Sequence, residues 1–384
     1  MTLTLSLDIE HLLSERVKDI ETSGIRRAWA LAQTCEDPIN LSIGQPDFPV
    51  HDSIKQAAID AILQDKNGYT HTAGEDVLLQ TIYKRLNTEF GWEFDKNACN
   101  SAMVTSGTAG ALTLACLTVL GPGDEIIIPD PYFVIYPSLA RIAEGKAVLC
   151  DTYPDFRMTA ERIEKCITPR TKAVLINSPA NPTGVVLTAE EVAEIATLCQ
   201  DRGILLITDE IYDEFVFPPT KHASPATTSS DVLVIRGYGK TYGCTGWRMG
   251  YAAGPKLLID NMLKLQQQTF VCAPSPMQHA LVGAYDINLQ PLIATFTQRR
   301  DMVVDSLCDV TDVIVPQGAF YAFPKIPEAL HMTSMEFITN AIANDVLVIQ
   351  GDVFSNRDSH FRISFAVADE QLERGLAILN TLLQ

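Results

Sequence analysis

Between residues 101 and 236 short, unbroken apolar runs alternate with longer helical patterns. Ala102 to Thr105, Glu125 to Ile128, Ala147 to Leu149, Ala173 to Ile176, Ile204 to Thr208 and Val232 to Ile235 read as strands. Ala109 to Leu120, Tyr132 to Ala143, Thr159 to Cys166 and Thr188 to Asp201 read as helices. Strands without polar alternation are covered on both faces. Their separation by helices predicts an α/β fold, a mainly parallel central sheet sandwiched by helices. After Gly254-Pro255 the pattern is helical to about Asp286 and again around Arg299 and Arg300. The last hundred residues mix short strands (Val313 to Val315, Ala319 to Phe323, Phe361 to Phe365) with helices (Ser334 to Asn344, Asp369 to Leu383), which predicts a smaller α+β domain.

Composition narrows the function classes. The 384 residues carry 29 Lys and Arg against 47 Asp and Glu, a formal charge of −18. That argues against a surface for nucleic acid or anionic lipid, which needs clustered positive charge. Apolar stretches such as Ala111 to Leu120 fall short of the ~20 residues of a membrane span. The opening Met1 to Glu10 meets acids at Asp8 and Glu10, unlike a secretory signal, and points to the cytoplasm. The nine cysteines are scattered without a Cys-x-x-Cys pair, which suits free thiols and no metal site.

Candidate chemistry gathers where strands end, the edge at which open α/β sheets bind ligands. Ser106-Gly-Thr-Ala-Gly110 joins a strand to a helix whose first N–H groups can hold an anion, although a capped turn explains it equally well. Asp209 ends a strand, and a carboxylate buried there needs a cationic partner; a capping Asp beside a core tyrosine, Tyr212, is the plainer explanation. Lys240 sits among glycines 237, 239 and 243, where packed backbone and a second cation, Arg248, would ease loss of its proton. A surface lysine is the common alternative.

Together with Leu41-Ser-Ile-Gly-Gln-Pro-Asp-Phe48, Gly68-Tyr-Thr70, Asn181-Pro-Thr-Gly184, Asp209-Glu-Ile-Tyr212, Gly239-Lys-Thr-Tyr242, Thr245-Gly-Trp-Arg248, Gly318-Ala-Phe-Tyr321 and Arg362-Ile-Ser-Phe365, these residues run in an order that resembles one family over nearly the whole chain. It resembles the fold-type I pyridoxal-phosphate enzymes of the class I/II aminotransferases, in the branch with prokaryotic aspartate and aromatic aminotransferases. The resemblance implies a homodimer that moves the amino group of an L-amino acid to a 2-oxo acid with pyridoxal 5'-phosphate as cofactor. It implies that Lys240 forms the imine link to the cofactor, and that Asp209 pairs with the pyridine nitrogen. Tyr212 and Asn181 would donate to the phenolate oxygen, and Tyr132 would stack on the ring. Ser106, Gly107, Thr108 and Arg248 would hold the phosphate, with Tyr69 reaching in from a second subunit. Arg362 would clamp the substrate carboxylate, with Ile43 and Gly44 lining the substrate side. The implied division is a large cofactor-binding domain at 45–285 and a small one at 1–44 and 286–384.

Two positions depart from the pattern. Gly237 stands where many members place a phosphate-binding hydroxyl. Ala109 stands where some aspartate-using members carry a lysine, for which the Arg26-Arg27 pair is a candidate substitute. Two other functions share the same motifs: a carbon–sulfur β-lyase using the same cofactor, and a non-catalytic sensor domain that binds it.

Overall fold

A computed structural model describes residues 9–18, 20, 38–95 and 97–384; residues 1–8, Arg26, Arg27 and Cys35 lie outside them. In chain order the helices and strands are α1 (Glu15–Lys18), β1 (Ile39–Asn40), α2 (Asp52–Leu63), α3 (Asp76–Phe90), β2 (Asn100–Ser106), α4 (Gly107–Val119), β3 (Glu125–Asp130), α5 (Tyr136–Ile142), β4 (Lys146–Asp151), α6 (Ala160–Glu164), β5 (Thr171–Asn177), α7 (Ala189–Arg202), β6 (Leu205–Asp209), β7 (Val232–Gly237), β8 (Met249–Pro255), α8 (Lys256–Thr269), α9 (Ser275–Ala280), α10 (Gln290–Leu307), β9 (Tyr321–Ala322), α11 (Ser334–Ala343), β10 (Val346–Leu347), β11 (Ile349–Gln350), β12 (Phe361–Ser364) and α12 (Asp369–Leu382).

Among the described residues the main sheet has the order β2-β8-β7-β6-β5-β3-β4, parallel except for β8, which runs antiparallel to both neighbours. Its strands send alternate residues into two cores. Val232 and Val234 of β7 enter one, with Leu206 of β6; Leu233 and Ile235 enter the other, with Ile207. The unbroken apolar runs follow from this double burial. Helix α7 shows the local signals that bound a helix: Thr188 and Glu191 form a capping box, and Gly203 ends it at φ 64°. Its Val192, Ile195, Ala196 and Cys199 form the buried stripe.

A further core collects residues from the chain's two ends. Ile39 and Leu41 join Phe296, Phe320, Phe337, Phe361 and Leu376, with Phe215 and Phe217 from the segment after β6. Phe215 meets Phe296 edge-on at 5.2 Å and Phe320 at 5.5 Å. Each such ring contributes roughly 2–3 kcal/mol by leaving water. Two small sheets brace this core, β1-β10 in parallel and the antiparallel β11-β12-β9. Arg299 of α10 pins it from outside through Asp47 at 2.9 Å and Asp369 at 2.7 Å.

The structure corrects two sequence expectations and adds a strand that the pattern did not announce. Val313 to Val315 forms no strand: Ile314 and Val315 stand 40% and 48% exposed, and no neighbouring strand offers them a ladder. The helix expected from Tyr132 starts at Tyr136: Pro137 has no N–H to bond the Phe133 carbonyl and so takes a place in the first turn, while the Tyr132 N–H donates to the Phe354 carbonyl at 2.7 Å. Strand β8 has no clear signal in Met-Gly-Tyr-Ala-Ala-Gly-Pro, since glycine and alanine are poor strand formers. Close approach explains the glycine at position 250. A Cβ on Gly250 would lie 2.8 Å from the Gly107 carbonyl carbon and 2.9 Å from the Thr108 nitrogen. Both are backbone atoms, so Gly250→Ala is expected to cost about 1–3 kcal/mol. Urea unfolding checks this, and a midpoint equal to the parent's would refute it.

Candidate active site

Parallel pairing sets Asn177 of β5 beside Asp209 of β6, and Asp209 beside Ile235 of β7. Three strand ends therefore deliver their following loops to one place. Asn177 ties two of them together: its Nδ2 donates to the Asp209 carbonyl at 2.8 Å, and its Oδ1 accepts the Asn181 N–H at 2.9 Å.

Asp209 and Glu210 are adjacent, buried and electrostatically opposite. Strand alternation sends Glu210 away from the cleft, where burial alone would raise it. Arg236 at 2.9 Å and His222 at 3.2 Å outweigh that and hold it down to about 2. Asp209 faces the cleft. Burial pushes it up to about 6, against the Tyr136 hydroxyl donating at 2.8 Å and the Ile211 N–H at 3.2 Å. No cation is bonded to it among the described residues, so its ionised form calls for a proton-bearing partner from outside the chain.

Lys240 follows β7, and its Nζ donates to the Gly44 carbonyl. Burial chiefly, then repulsion from Arg362 and Arg248, pushes the amine down to about 8. Arg362, on β12, is 2% exposed and has no carboxylate partner among the described residues. Its Nη1 donates to Asn181 Oδ1 at 3.0 Å and its Nη2 to the Ser42 carbonyl at 2.7 Å, while its Nε has no partner. The guanidinium lies over the rings of Tyr321 at 4.5 Å and Phe354 at 4.7 Å. Because a guanidinium only donates, it fixes which atom of the Asn181 amide is Oδ1 and leaves Nδ2 as that amide's donor. Ile43 lies between Ser42 and Gly44, whose carbonyls serve the two cations.

The anion cradle is at the start of α4. Gly107 adopts φ +68°, and a Cβ there would come within 2.9 Å of Arg248 Nη2. Ser106 caps no N–H, and the first turn carries no acidic residue, so the positive helix end stays uncompensated beside an arginine. Gly237 is accounted for by its neighbours. Its Cβ would meet Ile211 Cδ1 at 2.6 Å and Thr108 Cγ2 at 2.9 Å, so these side chains take the space of the expected hydroxyl.

The structure therefore brings Lys240, Asp209, Asn181, Arg362 and Gly44 together, and assembles Ser106, Gly107, Thr108 and Arg248 next to them. Tyr212 is buried, its hydroxyl 2.9 Å from that of Tyr321. Tyr69 is 88% exposed. Burial chiefly, then the charges of Asp130 and Asp352, raises the Tyr132 phenol, and Phe133 lies edge-on to Tyr136 at 5.6 Å. Sequence reasoning did not single out Tyr136 or Ser42, which act through a tertiary hydrogen bond and a main-chain oxygen. Tyr321 sits inside a motif that carries no signal for its role. Ala109, in the first turn of α4, brings no charge.

The chain is similar to known proteins over nearly its whole length. Residues 36–379 match the family described as aminotransferase class I and II. A probable aspartate aminotransferase of Methanocaldococcus jannaschii is 34% identical, covering 97% of this chain and 100% of that one. An aromatic-amino-acid aminotransferase of Thermococcus litoralis is 31% identical, over 95% and 96%. The solved aspartate aminotransferase of Thermus thermophilus with maleate superposes with a TM-score of 0.90 at 30% identity, over 96% and 99%.

Two outcomes follow. Acylation of Lys240 in the cofactor-free chain, mapped by mass spectrometry, is expected to be half-maximal near pH 8, because only the neutral amine reacts; a midpoint near 10 would place the amine in water. Gly237→Ser is expected to weaken retention of pyridoxal phosphate roughly fivefold, an effect of about 1 kcal/mol, because Thr108 must shift. Equilibrium dialysis measures this, and tighter retention would show that the cradle accepts the hydroxyl.

Proposed function

The chain belongs to the class I and II aminotransferases and is a pyridoxal-phosphate-dependent enzyme, and on that premise we propose that it takes the amino group from aspartate and aromatic L-amino acids and passes it to a 2-oxo acid such as 2-oxoglutarate. The residues fit this cofactor. Gly107 leaves beside Arg248 the space a Cβ would fill, and Asp209 is a buried carboxylate without a bonded cation. Bound there, the cofactor supplies an aldehyde that takes up an amino group and a protonated pyridine ring that draws electrons from the adjoining carbon.

The chain's own groups do the rest. Asp209, oriented by Tyr136, holds the proton on the ring nitrogen. Asn181 Nδ2 and the Tyr212 hydroxyl would donate to the phenolate oxygen, Arg248 and the start of α4 would hold the phosphate, and Tyr132 would cover the ring. Lys240 would carry the covalent link to the cofactor's aldehyde carbon, and its Nζ, when free, would take the proton of the substrate α-carbon. Arg362 is the observation that carries this reading. Its unpaired Nε and lack of a carboxylate partner make it a receptor for the α-carboxylate, flanked by Ile43 and Gly44, which stands the C–H bond across the ring.

We further assign 45–285 to a cofactor-binding domain and 1–44 with 286–384 to a smaller one; the separate core built from the two chain ends supports this. A homodimer in which Tyr69 completes the partner's phosphate site accounts for that tyrosine's exposure. The eight cysteines among the described residues are unpaired, in keeping with a cytoplasmic location, and no described helix is long and apolar enough to cross a membrane.

Initial rates over a grid of donor and 2-oxoglutarate concentrations test the proposal. Parallel double-reciprocal lines are expected, with kcat/KM for aspartate, tyrosine and phenylalanine about tenfold or more above alanine. Converging lines would reject two separate half-reactions, and a preference for alanine would reject the donor assignment.

A further inference from the structure

Tyr321 on β9 has no part in the chemistry above, yet it touches three groups that do. Its hydroxyl is 2.9 Å from the Tyr212 hydroxyl, and both rings are buried. Its ring face lies 4.5 Å from the Arg362 guanidinium carbon. Its hydroxyl also fills the place where a Cβ on Gly44 would be, at 2.4 Å, so Gly44 can offer its carbonyl to Lys240 only because it has no side chain. Pairing of β9 with β12, Tyr321 opposite Ser364, holds this arrangement next to Arg362.

Proton counting gives the contact a direction. Each phenol has one hydrogen and donates once. Burial keeps both neutral across the working pH range, raising Tyr321 and holding Tyr212 well above the ordinary value. If Tyr212 spends its hydrogen on the cofactor's phenolate oxygen, its own oxygen can only accept, and the donor facing it is Tyr321. Donation into Tyr212 polarises its O–H bond and strengthens the next hydrogen bond in the chain.

We propose that Tyr321 is a positioning residue that points the Tyr212 proton at the cofactor's phenolate oxygen while its ring face seats the Arg362 guanidinium, so that one side chain sets both the ring's electronics and the carboxylate clamp. This rests on the reading of Tyr212 and Arg362 given above. Stabilising the phenolate favours loss of the proton shared with the Lys240-linked nitrogen. Removing the Tyr321 hydroxyl therefore raises the pH at which the bound cofactor's absorption changes.

The test compares holoenzymes. In Tyr321→Phe the spectrophotometric midpoint should rise by about half a unit or more, while maleate, a dicarboxylate that cannot react, binds within about twofold of the parent because the ring remains. In Tyr321→Leu maleate should in addition bind about tenfold more weakly. Adding Tyr321→Phe to Tyr212→Phe should shift the midpoint no further, since the relay is already cut. Gly44→Ala should disturb the same hydroxyl pair, and Tyr321→Phe should restore cofactor retention to it, because the remaining contacts of 3.3 and 3.4 Å are tolerable. A Tyr321→Phe midpoint equal to the parent's, with Tyr212→Phe shifted, overturns the proposal alone. An unshifted Tyr212→Phe overturns the Tyr212 assignment and this proposal with it. Equal maleate binding in the Phe and Leu variants removes the role of the ring.

Discussion

Two cations share one buried cleft without a carboxylate bonded to either among the described residues, and the rest of the site is arranged around that constraint. Burying an ionised side chain costs several kcal/mol unless polar partners replace its water. Arg362 is compensated by a side-chain oxygen, a main-chain carbonyl and two aromatic faces. Lys240 has the Gly44 carbonyl and the Phe320 ring at 5.8 Å. None of these carries a negative charge, so the cleft keeps an unmet demand for anions. Under the proposed function, a substrate carboxylate at Arg362 would meet that demand and lift the repulsion that Arg362 exerts on Lys240, so that the amine would hold a proton more readily.

The carboxylates complete the contrast. Asp209 is the last residue of β6 and Glu210 the one after it, so their side chains leave the chain on opposite sides. Glu210 is saturated by Arg236 and His222 in a network that also includes Glu89 and Asp213; Asp209 is left with a tyrosine and an amide as donors. A carboxylate already neutralised by an arginine would make a poor partner for a cofactor cation. The structural ion network therefore lies directly behind the catalytic edge without discharging it.

The cleft is built from two sources. Lys240, Asp209, Asn181 and the anion cradle sit on loops that leave the main sheet, whereas Ser42, Gly44, Tyr321 and Arg362 belong to segments packed on the core formed by the chain's ends. Tyr212 bridges them: it follows Asp209 by three residues, yet its ring is buried in that second core against Phe320 at 5.3 Å.

Much of this was legible in the chain itself. Six strands of the main sheet announce themselves as unbroken apolar runs because both sheet faces are buried, and Lys240, Asp209, Asn181, Arg248 and Arg362 lie in motifs whose order identifies the family. What tertiary contact decided was invisible to pattern. Strand β8 carries Gly250 where it presses on the Gly107 backbone, and Val313 to Val315 looks like a strand but finds no partner. Tyr136 and Tyr321 are ordinary core aromatics by sequence; their hydroxyls matter because folding sets them against Asp209 and Tyr212. Local spacing reports which face of an element is buried. It cannot report which polar atom from a distant segment arrives there, since that depends on how separate elements pack.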